Sequence, residues 1–485
     1  MSFGTAFASA LSGLTAASKA SELVSSNIAN ATTPGYGRRA LSLTAQGTGP
    51  NGQGVKIAGI NRAEDRPLLN DRRLAQSAEG DAKARLDFFT RLQTQMGTPD
   101  QPASLSGRAA AFGSALTEAV SQPGSDTRLG AVASTAKALI SGLAAIGADI
   151  QTARSRADAD IAYQVQQLNA ALVRTAKLNG QIQTGLGAGQ DTSALQDQRQ
   201  QTIDQIAQIL ALREVAQNDG TVALYTVGGA VLLNGRPAVF GFTPTAAISP
   251  QMTQQSGGLS GLTLNGLAAP TAGAASLLTG GALAANFALR DDIAVRAQAQ
   301  IDAVARDLVE RFQSSGLDPT RAAGAAGLFT DAGAPFAAAN EIGLALRLSL
   351  NRAVDPAQGG ALWRLRDGLG APSAGPPGTS ALLASLNAAL TGSRQTASGA
   401  FLPSQRSFSV LTADLLSMTA GNAIAAQGEA TFAATRLETL TGLEAQGGVD
   451  TDFEMQSLLQ IEQSYTANAK VLKAVGEMMQ TLLDM

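Results

Sequence analysis

Neither cysteine nor histidine occurs in the 485 residues of the chain. Their joint absence excludes disulfides, thiolate chemistry, imidazole general bases and nearly every transition-metal site. No Gly-Lys dipeptide is present, which excludes a standard phosphate-binding loop, and a nucleophile would have no histidine beside it. Aromatic residues are scarce, at 4%, so bulky cores are not expected. Charge of one sign is also lacking: 35 Lys and Arg stand against 38 Asp and Glu, a net charge of -3 without blocks, which leaves no electrostatic footprint for nucleic acid or anionic membrane. No run approaches the roughly 18 apolar residues of a membrane span, so membrane insertion is not expected. The opening MSFGTAFASALSGL lacks both a basic region and an uninterrupted apolar stretch, and does not read as a secretory signal. Of the common catalytic chemistries, carboxylate-only catalysis of the glycosidase kind is left open.

What the chain does have is length, glycine and helical rhythm. Its length exceeds one ordinary core and implies two to four domains at roughly 100 to 200 residues each. Phe3, Phe7, Ala10, Leu14, Ala17, Ser21, Val24 and Ile28 follow in steps of four and three, the seam of a helix that packs on another helix. The seam stops at SNIANATTPGYGRR, residues 26–39, where Asn27 and Asn30 can cap and Pro34-Gly35 bends the chain before Tyr36. Alternating Leu41, Leu43, Ala45 and Val55, Ile57 then predict a hairpin with a glycine-rich tip. That tip matches G-x-G-x-x-G, but a dinucleotide loop opens a helix, and here Pro50 and a strand pattern follow.

Residues 65 to 97 read as helix, and a three-four rhythm from Leu129 to about Ile182 predicts a rod-like helix of roughly 50 residues. A further helix fits DTSALQDQRQQTIDQIAQIL, capped near Asp191 or Ser193. At about residue 213 the period falls to two, with turn signals at Asp219-Gly220, Gly228-Gly229 and Asn234-Gly235. Helix resumes near Leu283 with Phe287, Ile301, Val304, Leu308 and Phe312. Residues 314 to 400 are rich in Gly, Ala and Pro, with GAPSAGPPGTS at 370 to 380 read as a flexible loop. Most of residues 404 to 445 is helical in pattern.

The last segment opens with Thr451 and Glu454 spaced as a capping box after Gly447-Gly448. Asp450, Asp452 and Glu454 form an acidic cluster, but carboxylates in a first helical turn already gain from the helix dipole, and no calcium-loop spacing is present. The seam Leu458, Ile461, Tyr465, Asn468, Leu472, Val475, Met479 and Leu482 then runs nearly to the last residue. Amphipathic helices at both extremes are marginal alone, so each is expected to pair with the other and then with neighbouring copies. The polar Asn468 within an apolar seam suits selection of register.

SNIANATTPGYGRR, the internal LQDQRQQTIDQIAQ and the terminal QIEQSYTANAKVLKAVGEMMQTLLDM together resemble bacterial flagellar axial proteins. The terminal motifs are shared by rod and hook proteins, whereas the helices of 100 to 212 and the LQDQR stretch favour the family of hook-associated protein 1. The resemblance fades over 314 to 400, where an outer domain is expected to be reduced or absent. It implies a fold that is mainly α with a β-rich insertion: paired N- and C-terminal coiled-coil helices, a long helical-bundle domain and an outer β domain. The expected divisions are 1–62 (axial helix, loop and hairpin), 63–212 (helical domain), 213–282 (β-rich domain), 283–403 (returning helix and outer segment) and 404–485 (C-terminal helices).

The function so implied is a structural, non-enzymatic junction between flagellar hook and filament, without cofactor or metal. Its partners would be further copies of itself in a helical ring, the hook protein, other hook-associated proteins towards the filament, and an export chaperone. Export would run through the flagellar type III apparatus to an extracellular location. The loop would meet neighbouring subunits, with Tyr36 and Arg38 or Arg39 at the contacts. A rod or hook subunit is the alternative within the class. Outside it stand a secreted carboxylate-dependent hydrolase, which would need two close acids in a cleft within 213 to 400, and a surface adhesin.

Overall fold

The computed structural model describes residues 3–46, 54–273, 276–401 and 403–484. Helix α1 (Phe3–Ala29) ends where Asn30 turns the chain back, its amide bonded to Ser26 O at 3.1 Å and its side chain to the same carbonyl at 2.9 Å. Strands β1 (Arg39–Ala45) and β2 (Val55–Arg62) form the expected antiparallel hairpin, with a bulge between Ser42 and Leu43. The glycine pattern of the hairpin tip lies outside the described residues. Helix α2 (Arg66–Met96) is capped by Asp65, which accepts from Leu68 N at 3.0 Å, and Pro67 sits in its first turn where no amide donor is required.

Residues 100 to 212 are helical but divide where the sequence punctuates them. Helix α3 (Leu105–Ser121) is separated by Pro123-Gly124 from α4 (Asp126–Gly187), each capped by a serine, Ser104 or Ser125. Helix α4 runs 62 residues without interruption, roughly 93 Å of rise. Helix α5 (Ser193–Ile209) returns along it, and Asp191 holds the entrance by accepting from the Ser193 amide at 2.9 Å.

The α4 rod is the spine of two hydrophobic cores. Its first half, from Leu129 to Ala157, packs with α2, α3 and the later helices, and its second half, from Ile161 to Leu172, packs with α5 and the β region. By length and composition α4 could cross a membrane, yet its apolar side chains form the inner face of both cores.

The three expected turns join β3 (Leu212–Ala216), β4 (Val222–Thr226), β5 (Val231–Asn234) and β6 (Arg236–Pro237) into one antiparallel sheet. Gly220, Gly229 and Gly235 each take positive φ there, as tight hairpins demand. A second small sheet joins β7 (Phe240–Gly241), β8 (Leu262–Leu264) and β9 (Leu267–Ala269). Leu224, Leu232, Leu233 and Phe240 carry both sheets onto α4 and α5.

The returning helix is built from α6 (Ala282–Ala288), one π turn at Leu289–Ile293, and α7 (Ala294–Gln313). The π turn sits between the two cores, where three charged side chains are fully or nearly buried. Arg290 Nη1 pairs with Asp158 Oδ1 at 2.7 Å, and Arg154 Nε donates to the carbonyl of Arg290 at 2.9 Å. Arg154 also donates to Met252 O at 2.7 Å, and Asp158 accepts from Thr245 N at 2.6 Å, so this layer fixes the long loop after β7 to the spine.

Residues 314 to 400 contain short elements: β10 (Phe329–Asp331), α8 (Leu344–Arg347), β11 (Leu348–Leu350), α9 (Arg364–Asp367), α10 (Ala381–Thr391) and β12 (Arg394–Gln395). They belong to the first core, where Phe329 contacts Phe112 and Phe312 with ring centroids 5.7 and 5.0 Å apart. The stretch 370 to 380, read from sequence as flexible, has no helix or strand but is tied down: Arg364 donates to Ala371 O at 2.8 Å and Gly375 N to Asp367 Oδ2 at 3.0 Å. After β13 (Gln405–Arg406), α11 (Phe408–Gln446) packs along α2, and α12 (Thr451–Leu483) pairs with α1.

Asp158→Ala would leave Arg290 with Asp291 alone, bonded at 2.8 Å, and free the Thr245 amide inside the protein, and a loss of about 1–3 kcal/mol is expected by urea unfolding. Asp302 on α7 supplies a pH test. It is buried, accepts from Gly343 N at 2.7 Å and Ala345 N at 2.9 Å, and burial pushes it up to about 6 from an ordinary 3.8. A carboxyl that holds its proton more tightly when folded favours folding most below its unfolded value. Its contribution should therefore fall as pH rises from about 4 through about 6 and stay level above. Replacing Asp302 with alanine should flatten that slope in a pH series of unfolding midpoints.

Candidate assembly site

Helices α1 and α12 lie antiparallel. Asn27, near the end of α1, bonds to Glu454, near the start of α12, whereas Gly13 lies beneath Asn468 farther along. The buried residues of α1 on this seam are Ala10, Ala16, Ala17, Leu23 and Val24, and Val475 is the buried apolar residue of α12. Small side chains let the two backbones approach, at the expense of apolar area.

The loop after α1 is folded around one amide. Asn27 is fully buried and fills all four of its hydrogen-bonding positions. Its Oδ1 accepts from Tyr36 OH at 2.9 Å and from Arg39 N at 3.0 Å; its Nδ2 donates to Arg39 O at 2.9 Å and to Glu454 Oε2 at 3.1 Å. The other Glu454 oxygen takes Arg38 Nε at 2.6 Å, and the Arg38 guanidinium lies 4.9 Å from the Phe453 ring centroid.

The middle of the chain closes the same loop from its other side. Asp197 on α5 accepts from Gly37 N at 3.1 Å, Arg39 Nη2 at 2.7 Å and Arg62 Nε at 2.7 Å. Gln201 donates to Pro34 O at 2.9 Å. Gly35 takes φ of +76° and lies against Gln201, so its turn and close approach both call for glycine. A second ionic layer binds α2 to α5 and α11: Arg72 pairs with Asp204 at 2.7 Å and Glu444 at 2.6 Å, and Arg73 with Asp204 at 2.6 Å and with Glu214. Burial pushes the Glu444 carboxyl up, and the Arg72 charge opposes that shift.

The candidate residues read from sequence divide into three groups. Asn27, Val24 and Val475 are buried. Leu14, Ile28, Asn30, Gly35, Tyr36, Leu458, Ile461, Asn468 and Leu472 are half-buried, with Leu14 facing Tyr465 across a groove bordered by β2. Phe7, Pro34, Tyr465, Met479 and Leu482 are exposed. Phe3 belongs to α1, but its side chain lies outside the described residues.

Beyond the seam, Leu11, Phe453, Met455, Leu459, Val471, Met478 and Leu483 are exposed as well. The paired termini thus leave a broad apolar surface uncovered.

The capping-box reading of Thr451 and Glu454 is corrected. The N-cap of α12 is Asp450, which accepts from Asp452 N at 2.9 Å and Phe453 N at 3.1 Å, whereas Glu454 turns into the chain as the partner of Arg38 and Asn27. Among the described residues no group of three or more acids could hold a metal. Acids within 213 to 400 are engaged structurally: Asp307 pairs with Arg311, Asp331 with Arg347, Asp355 with Lys137 and Asp367 with Arg366.

Sequence reasoning passed over Asp197, Arg62 and the inward role of Glu454. The signal was two adjacent cations leaving a helix stop, which require carboxylates if they are to be buried. Asp197→Ala would release the Gly37 amide and two guanidinium groups together. A loss of about 3 kcal/mol is expected, with faster hydrogen exchange at Gly37 as its local signature.

Three family profiles match in chain order. "Flagella basal body rod protein" matches residues 7–36, "Flagellar hook-associated protein FlgK helical domain" residues 89–328, and "Flagellar basal body rod FlgEFG protein C-terminal" residues 445–485. Flagellar hook-associated protein 1 of Salmonella typhimurium is 29% identical over 236 residues, which cover 47% of this chain and 42% of that protein. The Escherichia coli K12 protein of the same name is 27% identical over 236 residues, covering 47% and 43%. The matched part is thus less than half the length of these curated relatives. A solved structure, the flagellar hook junction protein FlgK from Burkholderia pseudomallei, aligns with 22% identity and a TM-score of 0.44 over 54% of this chain and 46% of that one. Residues 26–36 of the loop, Asp197 and Gln201 that hold it and the terminal helix that closes it fall under these profiles, and from one end to the other the chain is similar to flagellar axial proteins, with a helical domain like that of their hook-associated members.

Proposed function

We propose that the chain is a structural component of the bacterial flagellum that joins hook to filament and assembles with copies of itself through its terminal helices. The observation that carries this reading is the uncovered apolar surface of α1 and α12. Large exposed apolar side chains from Phe7 and Leu11 to Met478 and Leu483 lie on helices that already use one face for each other. Apolar surface of that extent marks an interaction site. In this reading the hook protein is the partner on one side, and other hook-associated proteins are the partners towards the filament. The chain reaches its extracellular place by flagellar export without a cleaved signal, in the keeping of an export chaperone, and performs no catalysis.

A rod or hook subunit is the competing reading, since the terminal profiles belong to that wider group. Electron microscopy of cells lacking the chain separates them. Hooks without filaments, restored by the full chain but not by one truncated before Thr451, are expected; missing hooks would move the protein down to rod or hook, and normal flagella would sink the proposal. Leu472→Asp, which places a charge in the half-buried seam of α12, should block incorporation while the helical domain keeps its folded spectrum.

A further inference from the structure

An antiparallel pair of helices with a small-residue heptad seam has a register problem. Ala10 and Ala17 on α1 are seven residues apart, and sliding one helix by a heptad brings similar surfaces together again. Such a slip moves the helix about 10.5 Å along its partner. Contacts among alanines distinguish poorly between the alternatives.

Two contacts do not repeat. Glu454, 1% exposed, is held by Asn27 and Arg38. Fourteen residues farther along both helices, Asn468 covers Gly13 so closely that a Cβ there would stand 2.7 Å from its Nδ2. Both contacts fit one alignment. A slip of seven residues sets Glu454 opposite Ala20 or Pro34, and puts Ile461 or Val475 over Gly13. Either slip takes the carboxylate off Arg38 and leaves the buried Asn27 amide short of an acceptor, which costs far more than any difference among alanine contacts.

We propose that Glu454, through Asn27 and Arg38, is the residue that selects the register of the terminal helices, with Asn468 over Gly13 as a second index. Register is a property of one chain, and it holds whether or not the chain joins hook to filament.

Because the chain contains no cysteine, introduced pairs report without background. Gly13→Cys combined with Asn468→Cys reports the native register, and Gly13→Cys with Ile461→Cys or with Val475→Cys reports the two slips. In a glutathione buffer the native pair should close in preference to either slipped pair by roughly a hundredfold while Glu454 is present. In Glu454→Leu that preference should collapse towards unity, and Glu454→Gln, which keeps an acceptor for Asn27, should fall between. The double variant Arg38→Leu with Glu454→Leu leaves no unpaired buried charge, so it separates loss of register from loss of folding. A preference unchanged in the double variant, no native preference in the parent, or no disulfide in any pair would each overturn the assignment.

Discussion

The amide of Asn27 is the point on which the head, middle and tail of the chain depend. It is buried, so each of its four hydrogen-bonding positions needs a partner, and those partners come from residues nine to more than four hundred positions away. Tyr36 and Arg39 fold the loop back on the helix; Glu454 brings in the last helix. Arg39 and Gly37, placed by that fold, then meet Asp197 on α5. Each bond contributes a modest net amount, about 1 kcal/mol, but leaving one unmade inside the protein costs the full desolvation of a polar group. The geometry is therefore close to all-or-none.

A similar logic holds at the centre of the molecule. Helix α4 could not serve two cores without a boundary between them, and the boundary is ionic: Arg154, Asp158 and Arg290 lie where one apolar cluster stops and the next begins. The π turn at Leu289–Ile293 widens the helix there, and the carbonyl of Arg290 takes the Arg154 guanidinium. Buried charges held by named partners act as an index, so both cores are held at fixed positions along one rod.

Much of the fold was legible because periodicity reports local structure. The long helix, the strand region and its three glycine turns, and the stripe Ile301, Val304, Leu308, Phe312 all follow from spacing. Helix α3 has no separate reading in the sequence, because the long rhythm starts only at Leu129, beyond the break at Pro123-Gly124, and residues 100 to 212 are expected to be helical only as a group. The segment 314 to 400 was opaque for another reason. Its buried residues, such as Leu328, Phe329 and Leu383, fill the core from short irregular pieces that carry no period. The site was half legible: the seams and the loop could be read, but the carboxylates that hold them could not. Asp197 and Glu454 resemble ordinary helix-surface or helix-start acids until their distant arginines are in place.

The antiparallel pairing gives the terminal helices two unlike ends. At the base, near the helical domain, Leu23, Val24, Asn27 and Glu454 are buried and polar contacts fix the geometry. Towards the other end the pair stays closed through Ala10 and Val475, but Phe7, Met479 and Leu482 of the expected seams stand uncovered, with Leu11 and Met478 beside them. One helix can cover only one side of its neighbour, so side chains flanking the seam gain burial only from a further surface. The base thus supplies specificity within the chain and the far end supplies unspent apolar area. A pair held firmly in register at its base presents that area at a defined height, whereas a pair free to slip would present it at intervals of about 10.5 Å. Polar contacts that add little stability would, in a repeating assembly, decide whether successive copies meet the same surface.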